Sequence, residues 1–264
     1  MRSRELREKV YDLSCGLLAT VIDVVLFGFL YEAEVISGSY SRSRIGLAGE
    51  AALEKGMEMA IDKETIKRAI WKVTHQHLIR RQRKKGQEFW QITEEGKRRL
   101  QSLLPRYQEK RTWDGHFYLI TFDIAEKNRR HRDLLRDYLR RIGAGMLQIS
   151  VWLTPYDPRG ILKEFIKKRN LSGAVIVSDV GKEGSIGEED LDDLIRRVYK
   201  LDELNERYRN FIGLIKNREL DKPQVAFRFL SILADDPQLP FELLPYDWQG
   251  KRAYEVFKEK TQQQ

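Results

Sequence analysis

An alternation of strand and helix patterns between residues 116 and 179 constrains the fold of this chain more than any other feature. His116 to Ile124 is rich in aromatic and β-branched residues, as strands are, and Lys127 to Ile142 carries apolar residues at helical spacing. The pattern continues with a strand that has a bend or bulge, a short helix and a buried strand, at Met146 to Thr154, Gly160 to Arg169 and Ala174 to Asp179. This order, β-α-β(β)-α-β, predicts a ferredoxin-like split βαβ unit.

Positive charge is concentrated between residues 63 and 85. The stretch holds nine Lys and Arg against one acid, Glu64, and its local charge of +8 equals the formal net charge of the whole chain. The remaining residues therefore sum to neutral, so the excess charge belongs to one short element. Such a concentration indicates a polyanion as the partner.

The same stretch predicts an amphipathic helix followed by a hairpin. Ile66, Ile70 and Val73 recur at i, i+4 and i+7, which indicates one buried face and a basic outer side. A turn at Lys84 to Gly86 precedes a strand-like Glu88 to Thr93. Helix plus basic hairpin is typical of a winged helix, whose second helix lies in the major groove. A solvated surface helix with an exposed turn is the alternative interpretation.

The winged-helix pattern predicts two sets of DNA-binding residues. The helix would present one set to the major groove and its rims, and the hairpin would present the other to phosphates or the minor groove. The helix set is Lys63, Thr65, Lys67, Arg68, Trp71 and Lys72. The hairpin set is Arg80, Arg81, Arg83, Lys84 and Lys85.

An apolar segment runs from Gly16 to Tyr31. Its 16 residues are fewer than the roughly 20 that span a bilayer, and it contains Asp23, so it predicts a buried helix. The excess of apolar surface suggests that part of it packs against another subunit. A single cysteine, Cys15, excludes an intramolecular disulfide, and no Cys and His spacing predicts a zinc site, so we expect a reducing, cytoplasmic compartment.

Apolar residues at three- and four-residue steps between residues 188 and 216 predict helices after the central unit. The predicted fold class is therefore α+β, with an N-terminal winged helix-turn-helix, a central ferredoxin-like βαββαβ domain and a C-terminal helical domain. The predicted boundaries place the winged-helix domain, with its long apolar N-terminal helix, at residues 1–100 and a connector at 101–112. The ferredoxin-like domain follows at 113–186 and the helical domain at 187–264.

Three stretches resemble the PaaX family, whose founding member represses a phenylacetic acid degradation operon. Arg68 to Gly96 is similar to the family's recognition helix and wing, which ends in Thr-x-x-Gly. His116 to Pro158 is similar to its middle domain and Asp236 to Gly250 to its C-terminal signature. The resemblance implies a dimeric, sequence-specific DNA-binding transcriptional repressor on an inverted-repeat operator. The founding repressor releases DNA on binding an aryl-CoA thioester, but no effector pocket can be assigned to these residues.

The family's middle domain is itself similar to the small CRISPR-associated nuclease subunit, a dimeric ferredoxin-like protein in which an aspartate ends the first strand. Asp123 occupies that place here. A metal would need several converging oxygen ligands, which one Asp per chain could supply only across a dimer axis. The simpler interpretation is that Asp123 caps the following helix or pairs with an arginine.

We therefore expect a cytoplasmic homodimer that binds double-stranded DNA. No catalytic residue, cofactor, metal or membrane partner is predicted. A small-molecule effector is a possible further partner, and the sequence does not identify it. The alternative is a metal-dependent nuclease or CRISPR-linked accessory protein that uses the central domain and Asp123. A protein-interaction adaptor that uses the C-terminal helices is a third interpretation, which no specific residue favours.

Overall fold

A computed structural model describes residues 8, 10, 14, 17–31, 63–84, 87–181, 190–217, 220 and 222–262 of the chain. Helices and two separate sheets make up the described part, so the predicted α+β class is confirmed. The residues group into two compact units. The first unit draws on Met1–Arg106, Arg207–Ala234 and Gln249–Gln264, and the second on Tyr107–Glu206 and Asp235–Trp248. The predicted domains are consecutive segments of the chain, whereas each unit combines segments that are distant in sequence. The predicted boundaries therefore stay a prediction.

The elements follow in chain order. They are α1 (Val21–Tyr31), α2 (Lys63–His75), β1 (Ile79–Lys84), β2 (Gln87–Ile92), α3 (Glu94–Gln101), β3 (Phe117–Asp123), a 3-10 turn (Glu126–Asn128), α4 (Arg129–Arg141), β4 (Gly145–Gln148), β5 (Val151–Thr154), α5 (Arg159–Arg169), β6 (Ala174–Gly181), α6 (Leu191–Tyr199), α7 (Leu201–Asn217), α8 (Lys222–Asp235), a second 3-10 turn (Phe241–Leu243) and α9 (Gly250–Gln262).

Helix α1 is covered by other helices of the first unit. Phe27 stacks on Phe227 of α8 with ring centroids 3.9 Å apart, and Tyr31 meets Phe257 of α9 edge-on at 6.5 Å. None of the residues of α1 is exposed. The predicted buried helix is confirmed from Val21 onward, and residues of the same chain cover the apolar surface of α1. A contact of part of this segment with another subunit stays a prediction. No helix in the described ranges has both the length and the apolar character needed to cross a bilayer.

One buried ion pair ties α1 to α3. The Asp23 carboxylate is only 4% exposed, and it accepts a hydrogen bond from Arg99 Nε at 2.7 Å. It also accepts one from the Thr20 hydroxyl at 2.5 Å. The buried carboxylate of α1 is therefore paired with a cation from α3, which follows the hairpin in sequence. A buried charge needs such a partner.

The junction between the hairpin and α3 explains why Thr and Gly stand at the two ends of the Thr-x-x-Gly motif. Thr93 is the N-cap of α3, and its hydroxyl accepts the Gly96 N–H at 3.1 Å. The Thr93 N–H in turn donates to the Leu78 carbonyl at 3.0 Å. A Cβ on Gly96 would collide with that same carbonyl oxygen and would lie 2.8 Å from Ile92 Cγ1. Glycine is needed here for close approach of the backbone.

The second unit contains an antiparallel sheet in the order β4-β5-β3-β6. With α4 and α5 in the connections, this is the strand order of a split βαβ unit. One face of the sheet forms a core with these helices that includes Ile120, Phe122, Leu135, Trp152 and Leu162. The other face is partly covered by α6 and the start of α7, through residues such as Ile195 and Leu201.

The stretch Met146 to Thr154 forms two strands, as the predicted βαββαβ order requires, and not one continuous strand with a bend. Strands β4 and β5 form a hairpin that reverses at Ile149 and Ser150. The expected irregularity is present, because the register shifts between Met146 and Gln148. The position of the reversal is only weakly marked in the sequence, since Ile149 is not a turn-forming residue and Ser150 favours turns less strongly than Asn or Asp.

Candidate nucleic-acid interface

Helix α2 has one buried face and one exposed face, as its spacing predicted. Ile66, Ala69, Ile70 and Val73 are all buried, and α2 packs against α1. The exposed residues lie on the opposite side of the helix. They are Glu64, Lys67, Arg68, Trp71, Lys72 and His75.

The cations of α2 are held loosely and remain accessible. Lys67 pairs with Glu64 at 3.2 Å, but both side chains are more than half exposed, so water and salt weaken the pair. Arg68 Nε donates to the Glu64 carbonyl oxygen at 3.2 Å, which leaves its terminal nitrogens available. Lys72 makes no ion pair with any residue in the described ranges. Of the other predicted residues, Thr65 is half-buried and Lys63 is the first residue of α2.

Trp71 stands at the centre of the exposed face. It is 63% exposed, and its indole ring stacks on the His75 imidazole at 4.9 Å between centroids, with the planes 9° apart. The prediction included Trp71 but missed His75. The signal was present, because residues four apart share a helix face. His77 follows the helix, with a positive φ of 56°.

The hairpin presents arginines beside α2. Strands β1 and β2 pair antiparallel, with Arg80 opposite Gln91 and Arg81 opposite Trp90. Arg80 donates to the Gln91 side-chain oxygen at 3.3 Å, and the Arg81 guanidinium lies 5.2 Å from the Trp90 ring centroid. This cation–π contact holds the guanidinium over the ring. Of the remaining predicted residues, Arg83 and Lys84 lie in β1, and Lys85 falls outside the described residues.

Two family models match the chain. The PaaX protein central Cas2-like domain matches residues 110–191, and the PaaX-like protein C-terminal domain matches residues 199–264, together more than half of the sequence. The chain belongs to the PaaX family. Both models begin after the basic helix and hairpin, so the interface described above rests on its own geometry. PaaX-family domains are consistent with a transcriptional regulator.

A solved structure, the uncharacterized protein Rv0674 from Mycobacterium tuberculosis, is similar to this PaaX-family chain. The two are 19% identical with a TM-score of 0.56, over 92% of this chain and 94% of the other. At this identity the likeness shows a shared fold. No curated protein matches the chain significantly.

Asp123 lies exposed at the end of β3 in the Cas2-like domain. Its carboxylate makes no hydrogen bond or ion pair with a described residue, so the expected capping or arginine pairing is wrong. Asn128, the N-cap residue of α4, makes no side-chain cap bond either. Within the described ranges, no three His, Cys, Asp or Glu side chains are placed to share a metal ion.

A second polar cluster lies where β3 begins and β6 ends. His116 Nδ1 is 2.9 Å from Asp179, and this hydrogen bond, aided by the carboxylate charge, raises the pKa of His116 and lowers the pKa of Asp179. The Tyr118 hydroxyl donates to Asp114 at 2.7 Å, which raises the pKa of Tyr118 to about 12. Each carboxylate is matched by a partner within the cluster, so the arrangement stabilises this end of the sheet.

Proposed function

We propose that this PaaX-family chain is a sequence-specific DNA-binding transcriptional regulator, a dimeric repressor on an inverted-repeat operator. The observation that carries the proposal is the exposed face of α2, where Lys67, Arg68 and Lys72 surround an exposed aromatic residue. The hairpin beside it adds Arg80 and Arg81. Family membership supports the same function. No catalysis is needed for it.

The two elements would divide the work of binding. Arginine on a helix in the major groove can donate two hydrogen bonds to a guanine, which discriminates between base pairs. Arg68, with its terminal nitrogens accessible, suits that task. Arginines on a hairpin beside the groove suit phosphates, which position the protein without reading sequence. Arg80, exposed on β1, is the hairpin residue that we assign to this role.

Footprinting of the DNA upstream of the protein's own coding sequence, with excess non-specific competitor, tests the proposal. Two protected half-sites related by a dyad, about 10 bp or a multiple of it apart, are expected. Protection that any competitor removes equally would mean electrostatic binding only, and would contradict the proposal.

Mutation separates the two kinds of contact. Arg68→Ala should relax specificity at one position of each half-site, at a cost of about 1 to 3 kcal/mol there. Arg80→Ala should weaken binding to all sequences alike and lower the slope of log K against log salt by about one unit. Fluorescence anisotropy titrations at several salt concentrations measure both. Arg169→Ala, at an exposed arginine of α5 in the second unit, is the control and should change neither.

The dimer is supported by an uncovered part of the central sheet. Val151, Thr121 and Ile176 are register partners across β5, β3 and β6, so they lie side by side on one face of the sheet. This is the face opposite to the core of α4 and α5, and Ile176 is 59% exposed on it. An exposed isoleucine and a half-buried valine on this face, separated by Thr121, favour contact with a second copy.

We therefore expect Ile176→Asp to convert the dimer to a monomer, because it would bring two carboxylates together across a dyad axis. Sedimentation equilibrium at micromolar concentration measures the change. Ile161→Asp, at an exposed isoleucine of α5 on the opposite side of the sheet, is the matched control and should leave the dimer intact. A wild-type monomer, or a variant that remains dimeric, would exclude this face as the interface.

The alternative function, a metal-dependent nuclease, is favoured by one observation. Asp123 is exposed at the end of β3, on the same face of the sheet as Ile176, and is unpaired among the described residues, so a dimer through this face could bring two such carboxylates together. Adding manganese to the footprinting reaction tests it. Cleavage that Asp123→Asn abolishes, while DNA binding persists, would support the nuclease.

A further inference from the structure

The stacked pair of Trp71 and His75 is an apolar surface in the middle of a basic one. The indole is 63% exposed, and the parallel imidazole lies against it at 4.9 Å. The cations Lys67, Arg68 and Lys72 flank the pair on the same helix face. An aromatic ring held in one orientation is suited to a contact of fixed geometry, since little side-chain entropy is lost on binding.

The surroundings of the pair determine which partner fits it. Cations on both sides favour a polyanion over an apolar protein surface. An indole has a single donor, Nε1–H, and no acceptor, so it cannot read most of the hydrogen-bonding pattern of base edges. In the major groove the apolar group on a base edge is the C5-methyl of thymine. Apolar side chains in the groove make their specific contacts there.

We propose that Trp71, positioned by His75, packs against a thymine methyl group in each half-site of the operator. The inference rests on the proposed function and extends it by naming the base that the centre of α2 reads. Trp71 is the contacting residue in this assignment. His75 is a positioning residue, because its imidazole stacks on one face of the indole and so holds the indole ring in one orientation.

Replacing thymine by uracil tests the contact, because the substitution removes the methyl group and keeps every hydrogen-bonding group of the base. Each thymine of the footprinted half-site is replaced in turn, and the dissociation constant is measured by fluorescence anisotropy at one fixed salt concentration. The wild-type protein should bind about fourfold more weakly where the contacted methyl is missing, the factor expected for burying one methyl group.

The variants identify the side chain responsible. Trp71→Ala should bind the thymine operator more weakly than the wild-type protein does. It should bind the thymine and uracil operators with the same dissociation constant, so the ratio of the two constants falls to one at that position. Trp71→Phe should keep part of the ratio, because an apolar ring remains. His75→Ala should lower the ratio, whereas His75→Phe, which preserves a ring to stack on, should restore it. Tyr246→Ala, which removes a fully exposed aromatic residue of the second unit, should leave the ratio unchanged.

The outcomes distinguish this inference from the proposed function. A protein that prefers its operator but shows no uracil-sensitive position overturns the inference alone. A uracil effect that persists unchanged in Trp71→Ala also overturns it, since another side chain then reads the methyl. A protein that shows no preference for the operator over competitor DNA overturns the proposed function and the inference with it. Because Trp71 is mostly exposed, its replacement leaves no core cavity to confuse the result.

Discussion

Asp23→Ala is expected to lower the free energy of unfolding by about 3 kcal/mol, the lower end of the range for breaking a buried ion pair. Asp23 is buried, and its removal leaves the Arg99 guanidinium, 2.7 Å away, without its acceptor. The lower end applies because the Arg99 side chain is 37% exposed and can recover some hydration. Urea unfolding followed by circular dichroism measures the change. Hydrogen exchange of the α1 peptides assigns it to the first unit.

The adjacent arginine provides the control. Arg98 pairs with Glu95 one turn away on α3, and both side chains are more than 60% exposed. Arg98→Ala should therefore cost less than about 1 kcal/mol. Equal losses for Arg98→Ala and Asp23→Ala would contradict the role assigned to the buried pair.

Gly96→Ala is expected to destabilise the first unit by about 2 to 3 kcal/mol, in the upper part of the range for overpacking. The new methyl would meet the Leu78 carbonyl oxygen and Ile92 Cγ1. The carbonyl cannot easily retreat, because it accepts the Thr93 N–H at 3.0 Å. Relief would require the hairpin to move away from α3. The same denaturation experiment measures the loss, and operator affinity should fall with it.

A second glycine shows whether the effect belongs to the site. Gly160 lies in α5, and nothing lies within 4 Å of a Cβ built on it. Gly160→Ala should be neutral or stabilising by up to about 1 kcal/mol, because alanine restricts the unfolded chain. If Gly96→Ala proved as harmless as Gly160→Ala, the close approach in the hairpin would not constrain the fold.

Local features could be predicted from the sequence. The buried face of α2 follows from Ile66, Ile70 and Val73, whose spacing alone indicates a helix with one apolar side. The hairpin follows from alternating residues on either side of a Gly-containing turn. These signals lie within a few residues of each other, so no knowledge of the rest of the molecule is needed.

Long-range pairings could not be predicted in the same way. The partner of Asp23 is Arg99, 76 positions later, and many arginines of the chain were equally plausible partners. Part of the apolar surface of α1 was expected to pack against another subunit. No residue near α1 in sequence indicates that Phe227 covers Phe27. Asp123 was assigned to a helix cap on proximity in sequence, but β3 ends with its carboxylate exposed.

The stacking of Phe27 on Phe227 and of Tyr31 against Phe257 has a consequence for biosynthesis. A ribosome that has completed α2 and the hairpin has not yet translated either aromatic partner of α1. The proposed DNA-reading unit therefore cannot complete its core when only α2 and the hairpin have been synthesised, even though domains commonly fold from the N-terminus as they emerge. A chain terminated before Phe227 would lack both aromatic partners of α1, so we do not expect it to compete for the operator.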